Sequence, residues 1–291
     1  SDDRMRHAKS GQWWETAPHR ALANNSVSYT EKPDIETFMR EWTALVESKS
    51  GERGIFNREA SKAQAAKYGR RDPDWQFGTN PCSEIILRPY QFCNLTEVVV
   101  RATDTIKDLE RKVKLATILG TIQSSYTKFP YLRKVWQRNT EEERLLGVSL
   151  TGIMDNPLMT SVNANLEKLL DDLRTVAVGI NDEYASLLGI PQSAAITCVK
   201  PSGTVSQLVD SASGIHARHS PYYIRTVRGD NKDPLTQFMI DNGVPNEPCV
   251  FKSDSTTVFS FPVKAPERAT TRNDMTAIEQ LETWIMYQRY W

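Results

Sequence analysis

Long apolar runs, an export signal and paired cysteines are all missing from this 291-residue chain. No stretch of about 18 apolar residues occurs, so nothing in it reads as a membrane-spanning helix, and no membrane partner is expected. The first residues, Ser1-Asp2-Asp3-Arg4, are charged and lack the apolar core of a signal peptide. A reducing, cytoplasmic setting is therefore expected, where cysteines serve chemistry or packing more often than disulfides. Only four are present, Cys82, Cys93, Cys198 and Cys249, and none forms a C-x-x-C pair. Histidine is equally scarce, with four residues, so no structural zinc site or other metal centre is expected. Excess charge of either sign is missing too. Lys+Arg and Asp+Glu both number 36, which argues against a broad footprint for duplex nucleic acid. A local phosphate pocket remains compatible with that balance.

What is there is an alternation of helices and short apolar runs. Ile35, Phe38, Trp42, Leu45 and Val46 line one face of a helix that begins after Pro33-Asp34. Thr105 and Asp108 have capping-box spacing ahead of a stripe formed by Ile106, Leu109, Val113, Ala116, Leu119 and Ile122. A third helix carries Leu166, Leu169, Leu170, Leu173, Val176, Ile180 and Leu187 and stops at Gly189. A last one is expected over 274–291, capped by Asn273, with Met275, Ile278, Leu281 and Ile285 on its inner face. It finishes on Tyr290-Trp291 with no closing cap, which leaves about four carbonyls to be satisfied otherwise. That ending points to a truncated chain, or to a docked terminal helix. Strands are expected at 84–87, 98–100, 194–199, 222–228 and 256–263. Strands separated by long helices predict an α/β architecture with mostly parallel pairing. With no internal repeat or flexible linker, residues 1–291 read as one domain.

Three segments carry chemistry. The first is Asn80-Pro81-Cys82-Ser83-Glu84, followed by Gln91-Phe92-Cys93-Asn94-Leu95. Pro81 and Pro89 disfavour helix, so Asn80 to Cys82 should form a constrained turn before a short strand, and in an extended segment positions 80, 82 and 84 share one side. An amide, a thiol and a carboxylate would then face one space and offer a reactive sulfur beside a general base. The plainer alternative is a small buried thiol next to a surface carboxylate. The second is Lys200-Pro201-Ser202-Gly203-Thr204, directly after an apolar strand, where α/β proteins gather backbone N–H groups and hydroxyls around phosphate. An ordinary strand-to-helix turn is the other reading. The third, 214–225, contains His216, Arg218, His219 and Arg225. It reads as solvated histidines or anion contacts from the arginines rather than as a metal site. Near the N-terminus, Trp13 and Trp14 among basic residues read as packing groups, with stacking on nucleic-acid bases as the alternative.

Taken together, these motifs resemble the large, catalytic subunit of ribonucleotide reductase. Asn80-Pro81-Cys82-Ser83-Glu84-Ile85 with Phe92-Cys93-Asn94-Leu95 is similar to the family's finger loop and the reducing cysteine after it. Cys93 stands eleven positions after Cys82, as in the adenosylcobalamin-dependent branch, class II. Trp13-Trp14-Glu15, Ala23-Asn24-Asn25-Ser26, the run 144–152, Lys200-Pro201-Ser202-Gly203-Thr204 and Tyr223-Ile224-Arg225 resemble that branch too, most closely its monomeric triphosphate-reducing type. The resemblance implies part of a ten-stranded α/β barrel with a central finger loop. It implies adenosylcobalamin as cofactor, a ribonucleotide substrate, a thiyl radical on Cys82 and Glu84 as base on the ribose. Asn80 would hold the hydroxyls and the Glu84 carboxylate, Cys93 would be one of two reducing thiols, and Ser202, Gly203 and Thr204 would cradle the phosphates. Cys198 and Cys249 match neither reducing pattern and are assigned to structure.

The partner of Cys93, the effector region and the terminal cysteine pair that takes electrons from thioredoxin have no counterpart here. The resemblance therefore implies a fragment lacking N- and C-terminal parts, dependent on those segments for turnover. The rival reading is a noncatalytic nucleotide-binding or assembly fragment of a split reductase. A glycyl-radical relative is disfavoured, because no Arg-Val-x-Gly-Tyr-like segment occurs.

Overall fold

The computed structural model describes residues 2–23, 25–49 and 53–291; Asn24 of the 23–26 motif lies outside them. In chain order come α1 (Asp3–Arg6), α2 (Trp13–Thr16), β1 (Ser26–Tyr29), α3 (Ile35–Ser48), β2 (Gly54–Asn57), α4 (Arg58–Ala66), β3 (Gly78–Thr79) and β4 (Ile86–Leu87). Next are β5 (Asn94–Val99), α5 (Ile106–Gln123), α6 (Lys134–Glu143), β6 (Leu146–Thr151), α7 (Pro157–Thr160), α8 (Ala164–Leu188) and β7 (Thr197–Cys198). The last are α9 (Thr204–Leu208), β8 (Tyr222–Asp230), α10 (Pro234–Asp241), β9 (Asn246–Pro248), β10 (Thr256–Lys264) and α11 (Ala277–Tyr290). No described helix is long and apolar enough to cross a membrane.

The chain divides into two compact units, one of Ser1–Thr96, Thr117–Gly147 and Ile180–Ile196, the other of Glu97–Ala116, Val148–Gly179 and Thr197–Trp291. Pairing is mixed rather than mostly parallel. β1–β2 and β6–β7 are parallel, while β3–β4, β8–β10 and β9–β10 are antiparallel. The antiparallel share comes from hairpin-like returns that the helix–strand alternation does not reveal, above all the nine-residue pairing of β8 with β10.

In the first unit the ends of α5 and α8 meet through polar groups. Asn181 donates to Thr121 Oγ1 at 2.9 Å and to Ser193 Oγ at 3.0 Å, and its Oδ1 accepts from Ser193 N at 2.9 Å. Thr121, Ser124 and Asn181 are fully buried, whereas Leu119 and Leu187, expected on the inner faces, are exposed. The buried face runs about one residue on from the expected stripe, through Thr117 rather than Ala116 in α5 and Asn181 rather than Ile180 in α8, because short polar side chains satisfy one another there. Helix α3 differs in the same way. Asp34 caps it as expected, accepting from Thr37 N at 2.9 Å. Its buried residue is Glu41, which bridges Arg6 (3.1 Å) and Arg53 (2.9 Å), while Ile35, Trp42 and Val46 are exposed.

In the second unit the β6 residues 148–151 are all buried. This strand escapes the apolar patterning because Ser149 and Thr151 interrupt it, and both hydroxyls are structural. Ser149 Oγ accepts from Lys200 N at 2.9 Å, and Thr151 Oγ1 accepts from Gly214 N at 2.7 Å while donating to Ala212 O at 3.2 Å. The expected Thr105–Asp108 capping box is present, with Thr105 N donating to Asp108 Oδ2 at 2.9 Å and Asp108 N to Thr105 Oγ1 at 3.3 Å. Leu109, Val113, Leu166, Leu170, Leu173 and Ala177 form its apolar core. α11 is capped by Thr276 with Glu279, not by Asn273, and buries Thr283 and Tyr287 instead of Ile278, Leu281 and Ile285. Trp291 is docked, its indole N–H donating to Cys198 O at 2.7 Å.

Gly152 ends β6 at φ +77°, and a Cβ there would lie 2.4 Å from Val100 O. Both the left-handed backbone and the clash with a main-chain oxygen forbid a side chain. Gly152→Ala is expected to lower the unfolding free energy by about 2–4 kcal/mol in a denaturant titration.

Candidate active site

Residues 78–87 form a tight hairpin, with Gly78 opposite Leu87 and Thr79 opposite Ile86. Its tip is 80–85. Ser83 N donates to Asn80 O at 3.0 Å, closing a four-residue turn with Pro81 in the second place, where its fixed φ suits the bend. Ser83 takes a left-handed φ of +65° and carries the chain back toward β4. The constrained turn expected at Asn80–Cys82 ahead of a short strand is present, and because the segment is not extended, alternation along a strand is not what groups its side chains. Asn80 does that work. Its Nδ2 donates to Glu84 Oε1 at 2.5 Å and its Oδ1 accepts from Ile85 N at 3.1 Å, while its backbone N–H donates to Ile85 O at 3.2 Å. Cys82 is exposed at the apex and Glu84 is half-buried beside Asn80. The amide, the thiol and the carboxylate are therefore carried on one six-residue loop. Cys93 belongs to the same unit and is half-buried just ahead of β5; Asn94 N donates to Leu145 O at 2.9 Å.

A buried ionic cluster ties down the chain on both sides of the hairpin. Glu143, at the end of α6, accepts from Arg71 Nε at 3.0 Å and Arg71 Nη2 at 2.9 Å, and pairs with Arg88 Nη2 at 2.9 Å. Gln91 Nε2 donates to the same carboxylate at 2.5 Å, and Gln91 Oε1 accepts from Arg88 N at 2.8 Å. Asn139 Nδ2 adds bonds to Pro89 O (2.8 Å) and Tyr90 O (3.1 Å). Arg88 lies 4.2 Å from the Trp75 ring and Arg71 4.7 Å from that of Phe77, so aromatic faces cover both guanidinium planes. Apart from Gln91, which opens the segment containing Cys93, none of the side chains in this cluster figures in the sequence-derived site. They lie far apart along the chain, and buried charges leave no periodic signal.

The second unit holds the 200–204 loop and a pocket of about 550 Å³ whose lining includes Ser202, Gly203, Ser211, Ser213, His219 and Arg225. Ser202 is buried and committed within the loop. Its N–H donates to Ser213 Oγ at 3.1 Å and its Oγ accepts from Ser206 N at 3.0 Å. Gly203 and Thr204 are exposed. Arg218 is not the anion contact expected of it. It donates to both oxygens of Asp155 (2.8 and 2.9 Å) and to Asp210 Oδ1 at 2.9 Å. Burial opposes its charge, but the bonds to Asp155, Asp210 and Tyr223 outweigh that and raise its pKa. Cys198 and Cys249 are both buried, in keeping with structural roles. Trp13 is half-buried with Lys9 4.9 Å from its ring, and Trp14 is exposed rather than packed. Among the described residues no group of three or more His, Cys, Asp or Glu side chains is placed to hold a metal ion.

The fold as a whole is similar to that of solved ribonucleotide reductases. A crystal structure of a B12-dependent (class II) ribonucleotide reductase superposes on 100% of the chain with a TM-score of 0.80 and 26% identity, covering 44% of that protein. The likeness bears out the expected fold class, α/β with part of the reductase barrel. A class Id reductase alpha subunit from Actinobacillus ureae shares the fold alone, at TM-score 0.50 and 16% identity over 76% of the chain and 47% of its own. Sequence relatives narrow the branch. The adenosylcobalamin-dependent ribonucleoside-triphosphate reductase of Euglena gracilis is 30% identical over 96% of the chain and 38% of its own length. That of Lactobacillus delbrueckii subsp. bulgaricus is 29% identical over 94% of the chain and 40% of its own. The chain is thus homologous to adenosylcobalamin-dependent ribonucleotide reductases along nearly all its length, and it spans about 40% of the length of the curated relatives it matches. No family model matches it.

Removing one charge from a buried pair leaves its partners uncompensated. Glu143→Gln is expected to cost about 3 kcal/mol in unfolding free energy and to speed amide exchange through 78–91. Glu142→Gln, whose carboxylate is half exposed, should cost under about 1 kcal/mol in the same measurements.

Proposed function

We propose that this chain carries the radical-bearing part of a ribonucleotide reductase that converts ribonucleotides to 2′-deoxyribonucleotides for DNA synthesis. The observation that carries the reading is the hairpin tip, where Asn80 holds the Glu84 carboxylate on the same loop that carries the exposed Cys82. Residues 1–291 would then be part of one catalytic barrel domain. The reading brings with it a cytoplasmic setting, a nucleoside triphosphate as substrate and a thioredoxin-type electron donor. The segments that complete the relatives would be supplied by further polypeptide.

Adenosylcobalamin is the cofactor proposed, by homology; when bound, it supplies a carbon-centred radical. The chain's fit to it rests on Cys82, a thiol open to the outside at the apex of the loop. None of the residues described above is assigned to hold the corrin.

The steps open to this chain follow from its residue types. Cys82 gives up its sulfur hydrogen and, as a thiyl, takes the hydrogen from ribose C3′. S–H and activated C–H bonds are close enough in strength for that exchange to run both ways. Glu84 accepts the proton of the 3′-OH, and the 2′-OH leaves as water with one added proton. Asn80 fixes the carboxylate so that it meets the sugar in one orientation. Two electrons and two protons come from Cys93 and a second thiol, which close to a disulfide. One proton leaves with the 2′-OH as water and the other ends as the new hydrogen on C2′. Glu84 returns its proton to the 3′-oxygen, and Cys82 returns its hydrogen to C3′. Gly203 and Thr204, with Ser202 shaping their loop, cradle the phosphates.

The test uses the chain completed by the segments present in its relatives. With adenosylcobalamin and a dithiol, radiolabelled ribonucleotide should become deoxyribonucleotide. Cys82→Ser should remove that product by at least about a thousandfold while leaving nucleotide affinity within about twofold. Undiminished nucleotide binding with no reduction by the unsubstituted protein would favour the noncatalytic fragment instead.

A further inference from the structure

Ser211 is buried at 3% exposure on the wall of the pocket beside the 202–204 loop, and its Oγ has no hydrogen-bond partner among the described residues. Buried hydroxyls almost always have one, so an orphan on a residue that lines a pocket marks a place where something else can complete the bond. Its main chain is held on both sides. Ser211 N donates to Ser206 O at 2.8 Å, and Ala212 N donates to Asp155 Oδ2 at 2.9 Å. The Asp155 carboxylate is itself fixed by Arg218. The fold thus keeps a hydroxyl in place that it does not use.

A second feature of the same pocket is Arg225 on β8. It is half-buried and makes no ion pair among the described residues, in contrast to Arg218. It also lines a neighbouring hollow of about 670 Å³, shared with Gly203 and Gln207. His219 adds a second basic group on the pocket wall, and no acidic side chain lines this pocket. An uncommitted guanidinium with serine hydroxyls and no opposing carboxylate is the chemistry that receives a phosphate oxyanion.

We propose that Arg225 and Ser211 are the charge and the buried hydrogen-bond donor that bind the polyphosphate of a nucleotide in this pocket, with Arg218 acting only to position Ser211 through Asp155. This rests on the nucleotide reading above and adds to it two contacts outside the 202–204 loop. Arg225 supplies affinity for the anion. Ser211 supplies a buried donor, which meets the anion once the pocket wall gives slightly around it.

The experiment is titration calorimetry of the full chain with a ribonucleoside triphosphate and, separately, with inorganic tripolyphosphate. Arg225→Gln should weaken both by about tenfold or more, and Arg225→Lys should recover part of that loss. Ser211→Ala should weaken both by about threefold or more, while its denaturant midpoint stays equal or rises, since the orphan hydroxyl is gone. A merely structural serine would lower the midpoint instead. Arg228→Gln, on the same strand but outside the pocket lining, should change affinity by less than about twofold. If the nucleotide binds the chain but binds Arg225→Gln and Ser211→Ala equally well, the two contacts are refuted and the nucleotide reading stands. If neither ligand binds the unsubstituted chain, both fall together.

Discussion

The carboxylate of Glu143 is the constraint on which the candidate site depends. It collects two guanidinium groups and a carboxamide inside the first unit, from residues that precede and follow the hairpin bearing Cys82. A two-rung ladder such as β3–β4 has little stability by itself. What gives its tip a defined place is that the chain entering it and the chain leaving it are bonded to one buried anion. Apolar packing could close the same loop, but it would not select among nearby arrangements as sharply as bidentate bonds do. The site therefore owes its geometry to residues that take no part in the proposed chemistry.

Arg218 repeats that logic in the second unit with the signs reversed. Here one buried cation gathers Asp155 and Asp210 and, through Asp155, the backbone at Ala212. Its fork is filled, so it contributes shape to the neighbouring pocket and little free charge. Arg225 differs only in what surrounds it. Two arginines seven positions apart in one motif thus serve different ends, and their partners decide which does which.

Much of this was legible beforehand. The hairpin residues were identified by Pro81 and by the order of amide, thiol and carboxylate, and the Thr105–Asp108 box by its spacing alone. Helix ends such as Gly189 were likewise marked by local chemistry. The failures share a cause. β6 is hidden from apolar patterning because Ser149 and Thr151 look like surface residues, and apolar periodicity places the inner faces of α3, α5 and α11 on leucines and isoleucines. In each case a polar side chain is buried because a partner distant in sequence satisfies it, and no local pattern records such a partner. Glu41, Glu143 and Asn181 were invisible for that reason.

Asn181 has a consequence for how tolerant this protein can be. A helix seated only on leucines can slide by one turn and find new apolar contacts at modest cost. Asn181 meets Thr121 and both the amide and hydroxyl of Ser193 at fixed angles, and a slide of one turn would strand all three in a dry interior. The end of α8 is therefore keyed rather than greased. Insertions or deletions within 181–193 should be far less acceptable than changes of residue type on the exposed side of the same helix.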